Sequence, residues 1–379
     1  MRLSTMLFRQ EATRTNGSIL DCAGQLTPIT PRSFAMNPLI WNAFLRIHDV
    51  IRDELGEYFS EVYLPSPSVV SREYFSHGST PTEEEIAVKY IQETMPGAMD
   101  FSNSFFYFKE KTLDSAPSGV SIPSKVADQM VIYSFSPNSE DMYNQGKIIK
   151  EFFKKISSRI GLSIIFVSGI KFSELSNETI MSLYPDGDES LLYYPDEQCW
   201  TDENVLLLER ELFSFNDEDE IIKLNKCEKH KALQVGEFTY WGRVKTCFKE
   251  FGFNSTHSKY YVGKYVLNLT RAMDAILYQN TGEFGFVWPY DISPYKLHLI
   301  CSNDRMEKAE DIYDELRQKN ISVLFDDRDI PFDEKFELAK LLGIPKIIVI
   351  GDNDGGIFEV DRATLKQHQE ILKTPYRYM

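Results

Sequence analysis

In the C-terminal part of the chain, short apolar runs alternate with stretches of helical spacing, and this alternation restricts the fold more than any other feature. The runs cover residues 296–300, 321–325 and 347–350. Helices are predicted near 306–316 and 333–342, and from about residue 361. Strands that alternate with amphipathic helices predict a sheet with parallel pairs, covered by helices.

The upstream part of the chain carries weaker signals of helices, strands and their ends. These signals predict helices at about 37–55, at 148–160 and from near 270, strands at 62–64, 163–167 and 260–267, and a domain junction at 282–289. Gly56 and Gly161 are expected to end the first two helices, and Pro65 the first strand.

Composition limits the class of protein. A chain of 379 residues that is 42% hydrophobic is expected to form two domains. A net charge of −16 argues against non-specific nucleic-acid binding, although local basic patches still permit the binding of a specific nucleic acid. No apolar stretch is long enough for a membrane helix, and the spacing of cysteines and histidines predicts no metal site.

Two segments have a biased charge. Arg2, Arg9 and Arg14 share residues 1–17 with a single acid, Glu11, which is compatible with a mitochondrial transit segment. An acidic, apolar-poor stretch at about 213–230 is most simply a solvated linker.

Several motifs follow one another in the order found in a known enzyme family. They are Pro65 after the first strand, Pro81-Thr82-Glu83-Glu84-Glu85, Gly263 to Arg271, Trp288-Pro289, Asp326-Asp327-Arg328-Asp329 and Gly343-Ile344-Pro345. Over essentially its whole length, the chain resembles the prolyl-tRNA synthetase family of class II aminoacyl-tRNA synthetases. The lack of an inserted editing domain is similar to mitochondrial members.

The resemblance implies an α+β fold in two parts. Residues 18–285 would form a class II synthetase catalytic domain, a mostly antiparallel sheet with flanking helices. Residues 287–379 would form an α/β anticodon-binding domain. The family also implies a homodimer, with Pro65 of motif 1 at the interface.

The resemblance assigns roles to particular residues. Thr82 and Glu84 would read the substrate proline, and Arg271, with Gly263, would bind ATP and act in catalysis. Asp326, Asp327 and Arg328 would lie in the anticodon-binding domain. Plainer interpretations stay open: Thr82 is also a good helix cap, and the Asp326 run is also a charged turn.

The chain departs from the family where ATP chemistry is expected. In an ungapped alignment, Leu113 stands in place of the motif 2 arginine and Ser115 in place of a glutamate. Val266 and Asn268 replace two motif 3 glycines whose missing side chains let adenine approach the backbone. Losing a cation aimed at the reacting phosphate commonly lowers the rate about a hundredfold or more.

Two hypotheses follow from this combination of retained and replaced family residues. The first is a mitochondrial-matrix prolyl-tRNA synthetase that uses ATP and Mg²⁺ to attach proline to tRNA(Pro), with activity impaired or lost. The second is a non-catalytic, dimeric nucleic-acid-binding or accessory protein, similar in kind to the accessory subunit of the mitochondrial DNA polymerase. Leu113 favours the second hypothesis, whereas Thr82, Glu84 and Arg271 favour the first.

Overall fold

A computed structural model describes most of the chain. The described residues are 1–6, 26–30, 33–71, 80–95, 100–112, 122, 126–172, 175–195, 198–203, 227–244, 259–351, 357–361 and 367–369. Among the helices in these ranges, none has both the length and the apolar composition needed to cross a membrane.

The elements upstream of the predicted junction form the larger domain. Its strands are β1 (Leu26–Thr30), β2 (Ser33–Met36), β3 (Ser60–Glu61), β4 (Asn103–Thr112), β5 (Val126–Ser136), β6 (Ile165–Phe172), β7 (Leu175–Leu183), β8 (Glu189–Tyr194), β9 (Cys199–Asp202), β10 (Glu228–Arg243) and β11 (Tyr261–Asn268). Its helices are α1 (Pro38–Leu55), α2 (Glu83–Thr94), α3 (Ser139–Ile160) and α4 (Leu269–Gln279).

One large sheet organises this domain. In the described part of the chain it has nine strands in the order β3-β4-β5-β11-β10-β7-β6, with β8 beside β10 and β9 beside β8. The β3–β4 pair is parallel and the other pairs are antiparallel. This is the mostly antiparallel sheet with flanking helices that the family resemblance implies.

The two faces of the sheet are covered differently. On one face, α1, α3 and α4 bury an apolar core that includes Phe44, Phe153 and Ile276. On the other face, α2 packs through Ala87, Val88 and Ile91 against a second cluster. Because successive side chains of a strand point to opposite faces of the sheet, every second residue of a strand faces α2.

Local sequence explains the long helices. Proline stands at the first position of α1, where no backbone donor is required, and an apolar stripe faces the core. Gly161 ends α3 in a left-handed conformation, with φ of 73°. The predicted ends of both helices are confirmed, although α3 begins at Ser139, before its predicted start.

A smaller domain follows a hairpin of β12 (Thr281–Gly282) and β13 (Gly285–Phe286). Its elements are β14 (Leu297–Cys301), α5 (Met306–Gln318), β15 (Val323–Phe325), α6 (Phe332–Leu342), β16 (Lys346–Ile350), β17 (Ile357–Asp361) and β18 (Gln367–Gln369). The strand order is β15-β14-β16-β17-β18, and β14 runs parallel to both β15 and β16. The predicted helix-covered parallel pairs are confirmed.

Three sequence predictions were wrong in detail. The strand predicted at 62–64 lies earlier, at β3, and Val62 only continues the contact through a hydrogen bond from its N–H to the Phe106 carbonyl. Residues 228–230 of the predicted acidic linker belong to β10, where they pair with β8. Within the range predicted as a C-terminal helix from about residue 361, the described residues 367–369 form β18, because the outer edge of β17 takes a further strand, and the rest of that range lies outside the described residues.

The two domains share buried contacts at the junction. Trp288 packs within the larger domain's core, and its indole N–H donates to the carbonyl of Leu342 at the end of α6 (3.0 Å). Arg159 of α3 donates to Asp291 beyond the hairpin (2.7 Å) and to Glu54 of α1 (3.0 Å). The Trp288 contact ties α6 to the core of the larger domain, and the Arg159 contacts join α1 and α3 to the residues after the hairpin.

The described start of the chain, residues 1–6, packs on the smaller domain. Arg2 forms a parallel bridge with Phe325 of β15 and an ion pair with Glu310 (2.8 Å). Ser4 donates to Asp327 from both its backbone N–H (2.8 Å) and its hydroxyl (2.6 Å). Leu3 is buried against residues of both domains. We call residues 2–6 the N-terminal segment.

Candidate functional site

Thr82 is the N-cap of α2. Its hydroxyl accepts a hydrogen bond from the backbone N–H of Glu85, and the Glu85 carboxylate accepts one from the backbone N–H of Thr82. This reciprocal capping box satisfies two donors that the first turn would otherwise leave open. The cap therefore accounts for Thr82 and Glu85, and leaves Glu83 and Glu84 to face the sheet.

Glu83 and Glu84 project from the first turn of α2 towards a small group of polar side chains. This group lies within the aromatic face of the sheet. Lys264 of β11 places its Nζ 2.6 Å from Glu84 Oε1 and 3.2 Å from Glu83 Oε2. Lys109 of β4 forms an ion pair with Glu83, and Tyr107 donates to the same carboxylate. We call these residues, with Tyr133, the carboxylate cluster.

Tyr133 of β5 completes the carboxylate cluster. Its hydroxyl donates to Glu84 Oε1 at 3.3 Å, and Lys264 lies over its ring, 5.8 Å from the centroid. Burial, together with the charge of Glu84, raises the pKa of Tyr133 well above its ordinary value. The phenol therefore stays protonated and can only donate to the carboxylate.

Neighbouring charges and hydrogen bonds keep Glu83 and Lys264 in their charged forms. Burial alone would raise the pKa of Glu83, but Lys264, Lys109 and hydrogen bonds from Lys109 and Tyr107 hold that pKa below its usual value. Burial likewise opposes the charged form of Lys264, yet Glu83 and Glu84 keep its pKa above the ordinary value. Lys264 is therefore an ammonium at neutral pH.

Motif 3 lies on β11 and at the start of α4. Val266 lies on the same face as Tyr133, the face covered by α2. Gly263 lies on the opposite face with Tyr265, where a Cβ would come 2.4 Å from the Tyr265 hydroxyl. The glycine at 263 thus has a packing reason independent of any ligand.

Asn268, which replaces a family glycine, caps α4. Its side-chain oxygen accepts a hydrogen bond from the backbone N–H of Arg271 at 3.0 Å. Asparagine is among the preferred residues at this position because it satisfies an otherwise open donor. The substitution therefore stabilises the helix, and it places a side chain where the family has none.

The Arg271 side chain is held by the protein itself. Its guanidinium donates to Asp188 Oδ2 at 3.1 Å and to the backbone carbonyl of Gln234 at 3.3 Å. Burial and the nearby Asp188 raise the pKa of Glu189, against the opposing effect of Arg271. Among the described residues, Arg271 bonds to Asp188 and Gln234 and not to Thr82 or Glu84.

Two predicted positions lie outside the described residues. Leu113 and Ser115 of motif 2 belong to the range 113–121, and nothing structural is assigned to them. Pro65 follows β3 in a partly exposed stretch of irregular backbone. The position of Pro65 at a dimer interface stays a prediction, and the motif 2 residues carry only their sequence assignment.

The described residues suit ATP poorly. Val266 and Asn268 add side chains at the predicted adenine site, and Arg271 is already paired with Asp188. In the ranges that the structure describes, no three histidine, cysteine or acidic side chains are grouped as a metal site requires. We therefore assign no residue to Mg²⁺.

The Asp326 to Asp329 run lies at the carboxyl end of β15, in the smaller domain. Arg328 donates from Nε and Nη2 to the two oxygens of fully buried Asp326, at 2.8 and 2.7 Å. Asp327 accepts from Ser4, and Asp329 accepts from Asn303 at 2.6 Å. Every charge in this run thus has an intramolecular partner, as the charged-turn interpretation expects.

The carboxylate cluster was only partly predicted. The sequence assigned Glu84 to the proline site and offered Lys109 only as a substitute for the motif 2 arginine, whereas Lys109 pairs with Glu83. The roles of Lys264, Tyr107 and Tyr133 were missed. One signal was available: Lys264 lies within the aromatic and β-branched run 260–267, and a lysine in a buried strand requires an acidic partner. The identity of that partner depends on which helix covers the strand.

Comparison with known proteins supports the resemblance to prolyl-tRNA synthetases. Residues 296–372 match the family model described as an anticodon binding domain. A proline–tRNA ligase of Wolbachia sp. subsp. Drosophila simulans is 26% identical over 381 residues, which cover 90% of this chain and 89% of the relative. One from Sulfurimonas denitrificans is 25% identical over 312 residues, 75% of this chain and 71% of the relative.

A shorter match has a higher sequence identity. A proline–tRNA ligase of Persephonella marina is 44% identical over 94 residues, which are 24% of this chain and 17% of the relative. The large antiparallel sheet and the C-terminal anticodon-binding domain are those of a class II synthetase. Fold, motif order and relatives agree: the chain is similar to proline–tRNA ligases over most of its length, and its C-terminal part matches an anticodon binding domain.

Proposed function

We propose that this protein is a tRNA-binding, prolyl-tRNA synthetase-like protein whose activation of proline is impaired or lost. The observation that carries the proposal is the state of Arg271, the cation retained from motif 3. Its guanidinium is engaged by Asp188 and by the Gln234 carbonyl. A guanidinium held this way must leave both partners before it can act on a triphosphate.

The surroundings of Arg271 support the same conclusion. Val266 and Asn268 are 4% and 8% exposed, so their side chains are packed and cannot easily swing away from an incoming adenine. Leu113 supplies no cation in the motif 2 alignment. Removal of one preorganised charge from such a site typically lowers the rate about a hundredfold to a thousandfold.

Binding of tRNA is assigned to the C-terminal domain. Residues 296–372 match the anticodon binding domain, and proline–tRNA ligases are among the relatives. With a net charge of −16, contact with RNA must be local, because the protein as a whole repels phosphate. We expect tRNA(Pro) to bind through this domain, and the affinity to fall steeply with added salt.

Two assays on the purified protein test the proposal. In proline-dependent ATP–pyrophosphate exchange, we expect no turnover, or turnover at least about a hundredfold below that of an intact synthetase. In an electrophoretic shift assay, we expect tRNA to be retained in preference to duplex DNA of equal length. Full-rate exchange that Arg271→Ala abolishes would overturn the loss of activation.

The second hypothesis, a non-catalytic accessory protein for another nucleic acid, makes a different prediction in the same shift assay. It requires DNA to bind at least as well as tRNA. The proposal also includes a homodimer, with Pro65 near its interface, and residence in the mitochondrial matrix. Sedimentation tests the dimer. Because residues 2–6 pack on the smaller domain, we expect residues 1–17 to be kept after import, and the mass of the protein isolated from mitochondria tests this.

A further inference from the structure

The carboxylate cluster holds a cation that belongs to the protein itself. Lys264 Nζ lies within hydrogen-bond distance of both Glu83 and Glu84, at 3.2 and 2.6 Å. Its side chain is only 12% exposed, and the two carboxylates are 19% and 15% exposed. The ammonium is therefore enclosed between α2 and β11.

The cluster is also balanced in charge. Among the described residues it contains two carboxylates, Glu83 and Glu84, and two lysines, Lys109 and Lys264. Burial lowers the pKa of Lys109 against the opposing effect of Glu83, whereas the burial of Lys264 is outweighed by Glu83 and Glu84, which keep its pKa raised. The phenols of Tyr107 and Tyr133 add hydrogen bonds to the same carboxylates. An additional cation would enter a site whose negative charge is already neutralised.

We propose that Lys264 is a tethered occupant of the ammonium subsite on Glu84, so that its side chain closes this subsite to the amino group of free amino acids. The inference rests on the proposed function, in which Glu84 stands in the loop that reads proline. A free amino acid can reach Glu84 only by displacing a tethered ammonium from a buried ion pair. Shortening the side chain at 264 opens the subsite.

The energetic direction follows from the geometry. A tethered ammonium loses no translational freedom when it binds, whereas a free amino acid does. Breaking a buried ion pair is also strongly unfavourable, because it leaves a charge without its partner. We therefore expect the wild-type protein to bind proline at least about a hundredfold more weakly than a variant that lacks the Lys264 side chain.

Isothermal titration calorimetry with L-proline tests this inference on the full chain. We expect no binding to the wild-type protein and measurable binding to Lys264→Ala. The matched control is Lys264→Met, which removes the charge but keeps the volume of the stem, and should not bind. N-acetylproline lacks the ammonium and should bind to none of the three proteins.

Two results would overturn the inference. One is proline binding to the wild-type protein with an affinity similar to that of Lys264→Ala. The other is a folded Lys264→Ala variant that binds no proline. If Lys264→Ala does not fold, the ¹⁵Nζ resonance of Lys264 in the wild-type protein decides the question. We expect it to stay unchanged as proline is added, and a shift would contradict the closed subsite.

The outcome can be separated from that of the proposed function. Proline binding gained by Lys264→Ala, in a protein that retains no tRNA, would support the closed subsite and refute tRNA binding. Proline binding by the wild-type protein without pyrophosphate exchange would refute the closed subsite and support the loss of proline activation. The tRNA shift assay should give equal affinities for the wild type and Lys264→Ala, because Lys264 lies in the larger domain.

Discussion

His298 makes the smaller domain sensitive to acid. The side chain lies on β14, is fully buried, and its two ring nitrogens have no hydrogen-bond partner among the described residues. Burial lowers its pKa from 6.5 to about 4; Asp326 favours the charged form, whereas Arg328 opposes it. The imidazole is therefore neutral in the folded protein at pH 7.

The sign of the pH dependence follows from this lowered pKa. Below pH 6.5 the unfolded chain binds a proton at His298 and the folded chain does not, so stability falls as the pH decreases. Each unit of pKa difference corresponds to about 1.4 kcal/mol. The expected loss of unfolding free energy is about 2 kcal/mol by pH 5, and about 3 kcal/mol when the pH reaches 4.

Replacing His298 with leucine tests this reasoning. Leucine has no group to protonate, and it leaves no unpaired polar atom in the apolar site. Hydrogen exchange of the β14 and β16 amides, corrected for intrinsic rates, gives the local free energy of opening at pH 7 and pH 5. We expect the wild type to lose about 2 kcal/mol more than His298→Leu between these values. Equal losses in the two proteins would refute the reasoning.

Three further substitutions test separate contacts. Asn268→Ala should lower the unfolding free energy by about 1 kcal/mol and Asn268→Gly by only a few tenths, since glycine tolerates a cap position; equal losses in urea unfolding would exclude the cap. Gly343→Ala should lower the free energy by more than about 1 kcal/mol, because φ is +67° and the new Cβ would lie 2.8 Å from the Phe286 carbonyl oxygen. Gly282→Ala, with no atom within 4 Å, is its control, and matching melting temperatures would contradict this explanation. Leu3→Ala should lower the stability of the smaller domain by about 2–5 kcal/mol, and unchanged resistance to proteolysis would contradict the packing of Leu3.

The smaller domain was predicted well because its signals are local. Residues 297–301 and 346–350 are apolar runs long enough for a buried strand, and Ala309, Ile312 and Leu316 mark one face of α5. Strands β17 and β18 escaped prediction, and for β18 the reason is the opposite one. Gln367–Gln369 is polar, and only the free edge of β17 makes it a strand.

The candidate site was predicted only where the interacting residues belong to one short motif. The Thr82 cap could be inferred from the sequence because the cap and its partner Glu85 are three residues apart. The Glu84–Lys264 pair joins residues 180 positions apart, and it depends on α2 covering the face of the sheet that contains β11. The spacing of residues in the sequence carries no information about that arrangement.

The same limit applies to Arg271. Its place in motif 3 was visible, but its partners lie far upstream, Asp188 just before β8 and Gln234 in β10. Whether a retained arginine is available to a ligand is a question of tertiary contacts. A motif match alone could not answer it.

The N-terminal segment has a consequence for the order of folding. Ser4 and Asp327 are 323 positions apart, yet they share two hydrogen bonds. During synthesis, residues 2–6 leave the ribosome long before β15 exists, and the larger domain can fold first. Until the segment docks, the edge of β15 offers unpaired backbone groups to other chains. Completion of this fold thus depends on a late encounter between an early and a late part of the chain, and a fusion partner is better placed away from residues 2–6.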